Sequence, residues 1–179
     1  NLSQLQTLVK EGAEFLDGID IFVNNAGMIT RHEDFLEIPI DAFDLVQSVN
    51  LKAPFALTQL VAKQMKQQGK GGSIINISSM SASVISPGLT HYESSKAALN
   101  MLTRSSAKAL AKYRIRVNAI APGLVETNIN QAQRDYQPEI WEKRKAIIPL
   151  ERAGKPEDIA PVAILLASNK SAWITGDIV

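Results

Sequence analysis

Tyr92 and Lys96 stand four residues apart in the run HYESSKAALN, His91 to Asn100. On a helix, residues at that spacing lie one turn above each other on the same face. A free phenol titrates near ~10 and is a poor base at neutral pH. An ammonium about 4 Å away, at an effective dielectric near ~20, favours the phenolate by roughly 4 kcal/mol. That would lower the phenol pKa by up to about 3, less whatever desolvation takes back. A tyrosine tuned in this way can act as acid or base near pH 7. Alone, the pattern fits a chance pair on an exposed helix equally well. Ser79, thirteen residues upstream, adds a hydroxyl that can donate to a substrate oxygen while Tyr92 moves the proton. Its plain alternative is a turn serine at a strand end.

These residues need elements to bring them together. Ser73 to Ser78 (SIINIS) reads as a buried strand that delivers Ser79, and Pro87-Gly88 marks the loop before a helix that carries Tyr92 and Lys96 and continues to about Tyr113. Upstream, Leu2, Leu5, Leu8, Val9 and Leu16 recur at helical spacing, and Gly18 ends that helix. IDIFVN, Ile19 to Asn24, is an apolar run without polar alternation, as expected of a strand covered on both faces. A tight turn, Asn25-Ala26-Gly27, leaves its end. A helical pattern then runs from Asp41 to Gln68, interrupted by Pro54. A proline removes the hydrogen bond to the carbonyl four residues earlier, here that of Asn50. The freed carbonyl could hold a water and connect a proton relay to Lys96; the alternative is a helix-surface amide.

Further on, IRVNAIA, Ile115 to Ala121, is a third buried strand, broken by Pro122-Gly123. Asn128 to Ile148 reads as irregular at first and helical through Glu139 to Ala146. Pro156-Glu157-Asp158 starts a helix that runs to Ser168. Ile174 to Val179 reads as a turn and the beginning of another strand. Strands alternating with helices predict an α/β fold of the Rossmann type: a doubly wound parallel sheet with helices on both faces, in a single domain over 1–179. In such a sheet, ligands sit beyond the carboxyl ends of the strands. Asn24 to Gly27, Ser78-Ser79 and Pro122-Gly123 all fall there, each with a simple turn as its plain alternative.

The bulk numbers narrow the function classes. The chain has 179 residues, 45% hydrophobic and 21% charged, with a formal charge of +1. That balance gives nucleic acid or an anionic membrane little to hold. No cysteine is present, which removes disulfides, thiolate ligands and a thiol nucleophile and fits a reducing cytoplasm. The longest apolar run, Ile159 to Ala167, contains Pro161 and is too short to span a bilayer. Two histidines, His32 and His91, without acids at ligand spacing do not make a metal site, and His91 reads as a residue preceding its helix. Lys63, Lys66, Lys108 and Lys112 read as a solvated face, and Met65 and Met101 as packing residues.

Asn24-Asn25-Ala26-Gly27, Asn50, Ser79, Tyr92-x-x-x-Lys96 and Pro122-Gly123-x-x-x-Thr127 together resemble the short-chain dehydrogenase/reductase family in order and spacing. The resemblance covers essentially the whole chain. It implies NAD(P)-dependent hydride transfer between an alcohol and a carbonyl, with NAD or NADP as cofactor. Tyr92 would be the acid/base, Ser79 would polarise the carbonyl, and Lys96 would hold the nicotinamide ribose and tune Tyr92. Asn50 would support the relay through its main-chain carbonyl. Asn24, Ala26 and Gly27 would border the adenosine side of the cofactor, and Pro122, Gly123, Val125 and Thr127 the nicotinamide. The family's opening strand and glycine-rich turn, which receive the pyrophosphate, are not in the chain. The resemblance therefore implies that the first three strands are absent and that the last strand is cut at Val179. It also implies that these residues alone bind NAD(P) poorly. The choice between NAD and NADP is set in the absent segment.

Within that family, NNAGMITRHE (Asn24 to Glu33) and NAIAPGLVETNINQAQ (Asn118 to Gln133) look closest to sugar and sugar-acid dehydrogenases, such as glucose 1-dehydrogenase and the gluconate type. The lid expected over Asn128 to Arg144 is rich in Asn, Gln and Arg, which suits a polyhydroxylated substrate. Two alternatives stand beside this: a 3-oxoacyl-carrier-protein reductase, and a non-catalytic binding subunit of the same fold. The family also implies a dimer or tetramer through the helices 41–68 and 91–113.

Overall fold

The computed structural model describes residues 1–179. Helix α1 (Leu2–Phe15) leads to strand β1 (Ile21–Asn24). Then come α2 (Ile40–Gln47), α3 (Ala53–Gln68), β2 (Gly72–Ile77), α4 (Thr90–Leu110) and β3 (Ile115–Ile120). Three further helices, α5 (Gln131–Tyr136), α6 (Pro138–Ala146) and α7 (Pro156–Ala167), follow. The strands pair in parallel in the order β1-β2-β3, with Val23 beside Ile75 and Ile75 beside Asn118. The C-terminal segment adds itself to the free side of β3: Ala119 N–H donates to the Asp177 carbonyl at 2.9 Å, and Val179 N–H to Ala119 at 3.0 Å. Its strand start, expected from the sequence, is present.

Side chains alternate across a strand, so each face of the sheet has its own core. Ile74 and Val117 meet Val9 of α1, Val61 and Met65 of α3 and Ala107 of α4 on one face. Ile75 and Ile120 meet Leu166 of α7 on the other. Burying each large aliphatic stabilises by roughly 2 kcal/mol. Helices thus cover both faces of β2 and β3. β1 departs from the expectation of cover on both faces: Ile21 is 51% and Val23 41% exposed, because α7 packs on β2 and β3. An apolar run without alternation says that a strand is built for two covered faces, not that both covers are present.

The long helix expected over 41–68 is divided by a wider, π-helical turn at Ser48–Lys52. Ala53 N–H reaches back to the Ser48 carbonyl, so the ladder is already displaced just before Pro54. Gly69, at φ +72°, closes α3 with its N–H on the Met65 carbonyl. The stretch read as irregular after Asn128 is ordered: a 3-10 turn at Asn128–Asn130 runs into α5. The Asn130 side chain makes that turn, accepting from Thr127 N–H and donating to the Val125 carbonyl. His91 lies in the first turn of α4, fully buried, rather than ahead of it. No helix is long and apolar enough to cross a membrane.

Candidate active site

A cavity of about 1060 Å³ opens where the three strands end. Its wall includes Ala26 and Gly27 after β1, Ser78 and Ser79 after β2, and Pro122, Gly123, Val125 and Thr127 after β3. Tyr92 and Lys96 enter from the first turns of α4.

The loop after β2 is fastened at each step. Ser78 N–H donates to the Ile120 carbonyl at 2.7 Å, and Met80 N–H to the Pro122 carbonyl at 3.0 Å, so the ends of β2 and β3 move as one. The Ser79 hydroxyl oxygen accepts from Ser81 N–H at 3.1 Å, capping the short turn Met80–Ala82. That bond uses the oxygen and leaves the hydroxyl proton to donate into the cavity, where it meets the Tyr92 phenol.

Tyr92 and Lys96 are 9% and 5% exposed. The ammonium does not sit against the phenol oxygen. Lys96 Nζ donates to the Ile77 carbonyl at 2.8 Å and lies 5.7 Å from the centroid of the Tyr92 ring. Burial pushes the Tyr92 phenol above its ordinary value, and the hydrogen bond with Ser79 pulls it only part of the way back. This corrects the expectation that Lys96 lowers the Tyr92 pKa: helical spacing places the two stems together, but a carbonyl at the strand end captures the ammonium. Burial lowers Lys96 itself to about 8.

Asn50 is fully buried, and its side chain is bonded on both sides. Its Nδ2 donates to the Met28 carbonyl at 2.9 Å and to Ser95 Oγ at 3.1 Å, while Oδ1 accepts from Met28 N–H at 2.9 Å. Asn50 thereby pins the loop that leaves β1 to α4. A Cβ on Gly27 would stand 3.5 Å from Asn50 Oδ1 and 3.6 Å from Lys96 Nζ. Gly27 therefore keeps the floor low where three of the candidate residues meet.

Asn24 lies beneath the cavity rather than on its wall. Its Nδ2 donates to Asn76 Oδ1 at 2.8 Å, and Asn76 Nδ2 donates to Thr103 Oγ1 at 2.8 Å. Thr103 passes its own proton to the Leu99 carbonyl at 2.9 Å. This buried polar rung ties β1, β2 and α4 together, and buried polar groups of this kind are costly unless paired. Sequence reading passed over Asn76, Ser95 and Thr103. Polar residues inside otherwise apolar elements are the signal that marks them. The turn after β3 is held as firmly: Glu126 N–H donates to the Gly154 carbonyl, Gly154 N–H to that of Leu124, and Arg134 Nη2 to that of Thr127.

The arrangement brings a hydroxyl donor, a protonated phenol and a buried ammonium to one wall of a cavity bounded by three strand ends. The family model described as enoyl-(acyl carrier protein) reductase matches residues 1–179. An L-rhamnose 1-dehydrogenase (NAD(P)(+)) of a Sphingomonas species is 40% identical over 171 residues, 96% of this chain and 66% of that protein. The 3-oxoacyl-(acyl-carrier-protein) reductase FabG of Thermotoga maritima is 40% identical over 176 residues, 98% of this chain and 70% of that protein. The chain thus spans about two thirds of the length of these relatives. Among solved structures, a gluconate 5-dehydrogenase from Burkholderia cenocepacia, in complex with NADP and tartrate, superposes with a TM-score of 0.91 at 32% identity. That match takes in 100% of this chain and 69% of that one. On the full-length match of the family model and the 40% identity of these relatives, the chain belongs to the short-chain dehydrogenase/reductase family.

Proposed function

We propose that these residues form the catalytic part of an NAD(P)-dependent oxidoreductase that interconverts an alcohol and a carbonyl on a sugar or sugar acid. The observation that carries this reading is the convergence of Ser79, Tyr92 and Lys96 on one cavity wall. The donor set suits a nicotinamide nucleoside. Lys96 uses one of its three N–H groups on Ile77 and keeps two for a ribose diol. Gly27 and Gly123 leave backbone bare for a flat ring system. Bound NAD(P) would supply or accept the hydride.

The chain's own residues would do the rest. Ser79 turns its hydroxyl proton from the Tyr92 phenol to the substrate oxygen and positions it. Tyr92, a phenol kept protonated at neutral pH by burial, delivers its proton to that oxygen as the carbonyl is reduced. In the reverse direction the ionised phenol takes the alcohol proton, with the Ser79 hydrogen bond favouring the phenolate. Asn50 holds the Met28 backbone and Ser95 in place behind Lys96 and Gly27. Val125 and Thr127 wall the side opposite α4, and Ala26 the side after β1.

Support for the substrate class comes from the relatives named for L-rhamnose and gluconate and from the polar side chains Asn128, Asn130, Gln133 and Gln137 over the cavity. A second reading, a ketoacyl thioester reductase, is supported by the Thermotoga relative. Assaying the full-length protein with aldoses, aldonates and acetoacetyl thioesters, each with NAD and NADP, separates them. Turnover of sugars or sugar acids is expected; turnover of the thioester alone would favour the second reading, and none at all would remove both. We also propose assembly into a dimer or tetramer through the helices over 41–68 and 91–113, where Leu45, Phe55 and Met101 stand exposed. A monomer in sedimentation at micromolar concentration would contradict it.

A further inference from the structure

The cavity wall carries three cations, Arg31, Lys96 and Arg144, and no carboxylate. Lys96 is engaged with the strand end, deep beside Tyr92. Arg31 and Arg144 come from separate elements, the loop after β1 and the last turn of α6.

Each is held in place by neutral groups. Arg31 Nη1 donates to the Pro87 carbonyl at 2.9 Å. The two loops dock there because Gly88, at φ +75°, lacks the Cβ that would run into the His32 carbonyl oxygen, and His32 N–H donates to the Gly88 carbonyl at 3.2 Å. Arg144 is half-buried, and its Nη1 donates to Gln133 Oε1. The Arg144 guanidinium is pushed below its ordinary value first by burial and then by the charge of Arg31, and both side chains line the same cavity. Neither belongs to an ion pair. The chain's ion pairs are Lys10–Glu14, Lys145–Glu142 and Arg152–Asp158.

Arg144, half-buried, and Arg31, exposed, are like charges on one cavity wall and oppose each other in the empty chain. An anion between them turns that cost into attraction. The planar guanidinium fork matches a carboxylate through two parallel hydrogen bonds. We propose that Arg31 and Arg144 clamp the carboxylate of the substrate, so that the site takes a sugar acid in preference to a neutral sugar. Ser86 on the Arg31 side of the cavity, and Gln133 and Gln137 on the Arg144 side, offer neutral partners for the hydroxyls of such a molecule. This deepens the oxidoreductase reading and rests on it.

The test uses the full-length protein, the variants Arg31→Gln, Arg144→Gln and Arg144→Lys, and D-gluconate, D-glucose and acetoacetyl-CoA as probes. Hydrogen bonds to charged groups predict that each glutamine variant lowers the gluconate-to-glucose ratio of kcat/KM about 30-fold, through KM. Arg144→Lys, which keeps the charge but not the fork, should fall between. A second readout needs no turnover: D-gluconate raises the melting temperature of the wild type without cofactor, and this rise is lost in both glutamine variants. An unchanged ratio, a melting temperature insensitive to gluconate, or a loss confined to acetoacetyl-CoA overturns the clamp. Absence of turnover on every probe, with the gluconate melting shift intact, would instead remove the oxidoreductase reading and leave the clamp standing.

Discussion

Tyr92 and Tyr113 both have lysine neighbours, and their surroundings push them in opposite directions. Tyr113, at the end of α4, has Lys66 Nζ 4.8 Å and Lys112 Nζ 5.2 Å from its ring centroid. Lys112 first, then Lys66, lowers its pKa. Tyr92 is buried beside one lysine whose ammonium is bound to a carbonyl, and its pKa is raised. The tyrosine best prepared to ionise faces no cavity; the one that faces a cavity is the harder to ionise. Geometry comes before pKa in identifying a catalytic acid. A phenol that stays protonated until a substrate oxygen reaches it is poised to donate.

The largest effect that sharpens this comparison is at Ser79. Ser79→Ala removes the hydroxyl donor from the cavity, and loss of one such donor costs about 10²-fold or more in kcat. Its melting temperature should stay near the wild-type value, whereas Tyr113→Phe should leave turnover unchanged. Equal effects of Ser79→Ala and Tyr113→Phe in a steady-state assay would break the comparison.

Asn50→Ala leaves both backbone groups of Met28 without their partner in a part-buried place. A stability loss of about 3 kcal/mol is expected in denaturant unfolding, and activity should fall because Gly27 and Ser95 lose their anchor. A loss below about 0.5 kcal/mol would mean that the loop after β1 is held by other contacts.

Lys96 gives a signed pH dependence. Its folded pKa, about 8, lies below the ordinary 10.5. Between those values the unfolded chain holds a proton that the folded chain has released, so stability rises with pH through that window. The full contribution is present above 10.5 and is lost as pH falls through 8. The difference corresponds to about 3 kcal/mol. Relative to Lys96→Met, the wild type should gain stability of that order between pH 7 and 10.5, read from melting temperatures across the range. A pH-independent difference would mean that Lys96 is not desolvated.

The smallest effect is spectroscopic. In ultraviolet titration of the phenols without cofactor, Tyr113→Phe should delete a component below pH 10, and Tyr92→Phe one above it. The reverse order would place the ionised tyrosine in the cavity after all.

The alternation of strands and helices was legible because each buried strand is a short apolar run ended by turn residues: Asn24 before Asn25-Ala26-Gly27, Ile77 before Ser78-Ser79, Ile120 before Pro122-Gly123. The meeting of Ser79, Tyr92 and Lys96 was legible because helix spacing and strand-end placement are local properties. What escaped depends on partners far away in the chain. The capture of Lys96 by the Ile77 carbonyl, the rung from Asn24 through Asn76 to Thr103, and the half-bare face of β1 each depend on a second element. No periodicity reports which neighbour wins. Asn130 hid the order of the segment after Asn128 for a related reason: a side chain that caps a turn looks like any other polar loop residue.

The central claim is that Tyr92 is the acid that completes carbonyl reduction, and Tyr92→Phe in the full-length protein tests it most directly. Single-turnover oxidation of NAD(P)H by a sugar-acid carbonyl substrate should slow by about 10²- to 10⁴-fold, with cofactor affinity and melting temperature close to the wild type. Hydride transfer at the wild-type rate in that variant would contradict the account.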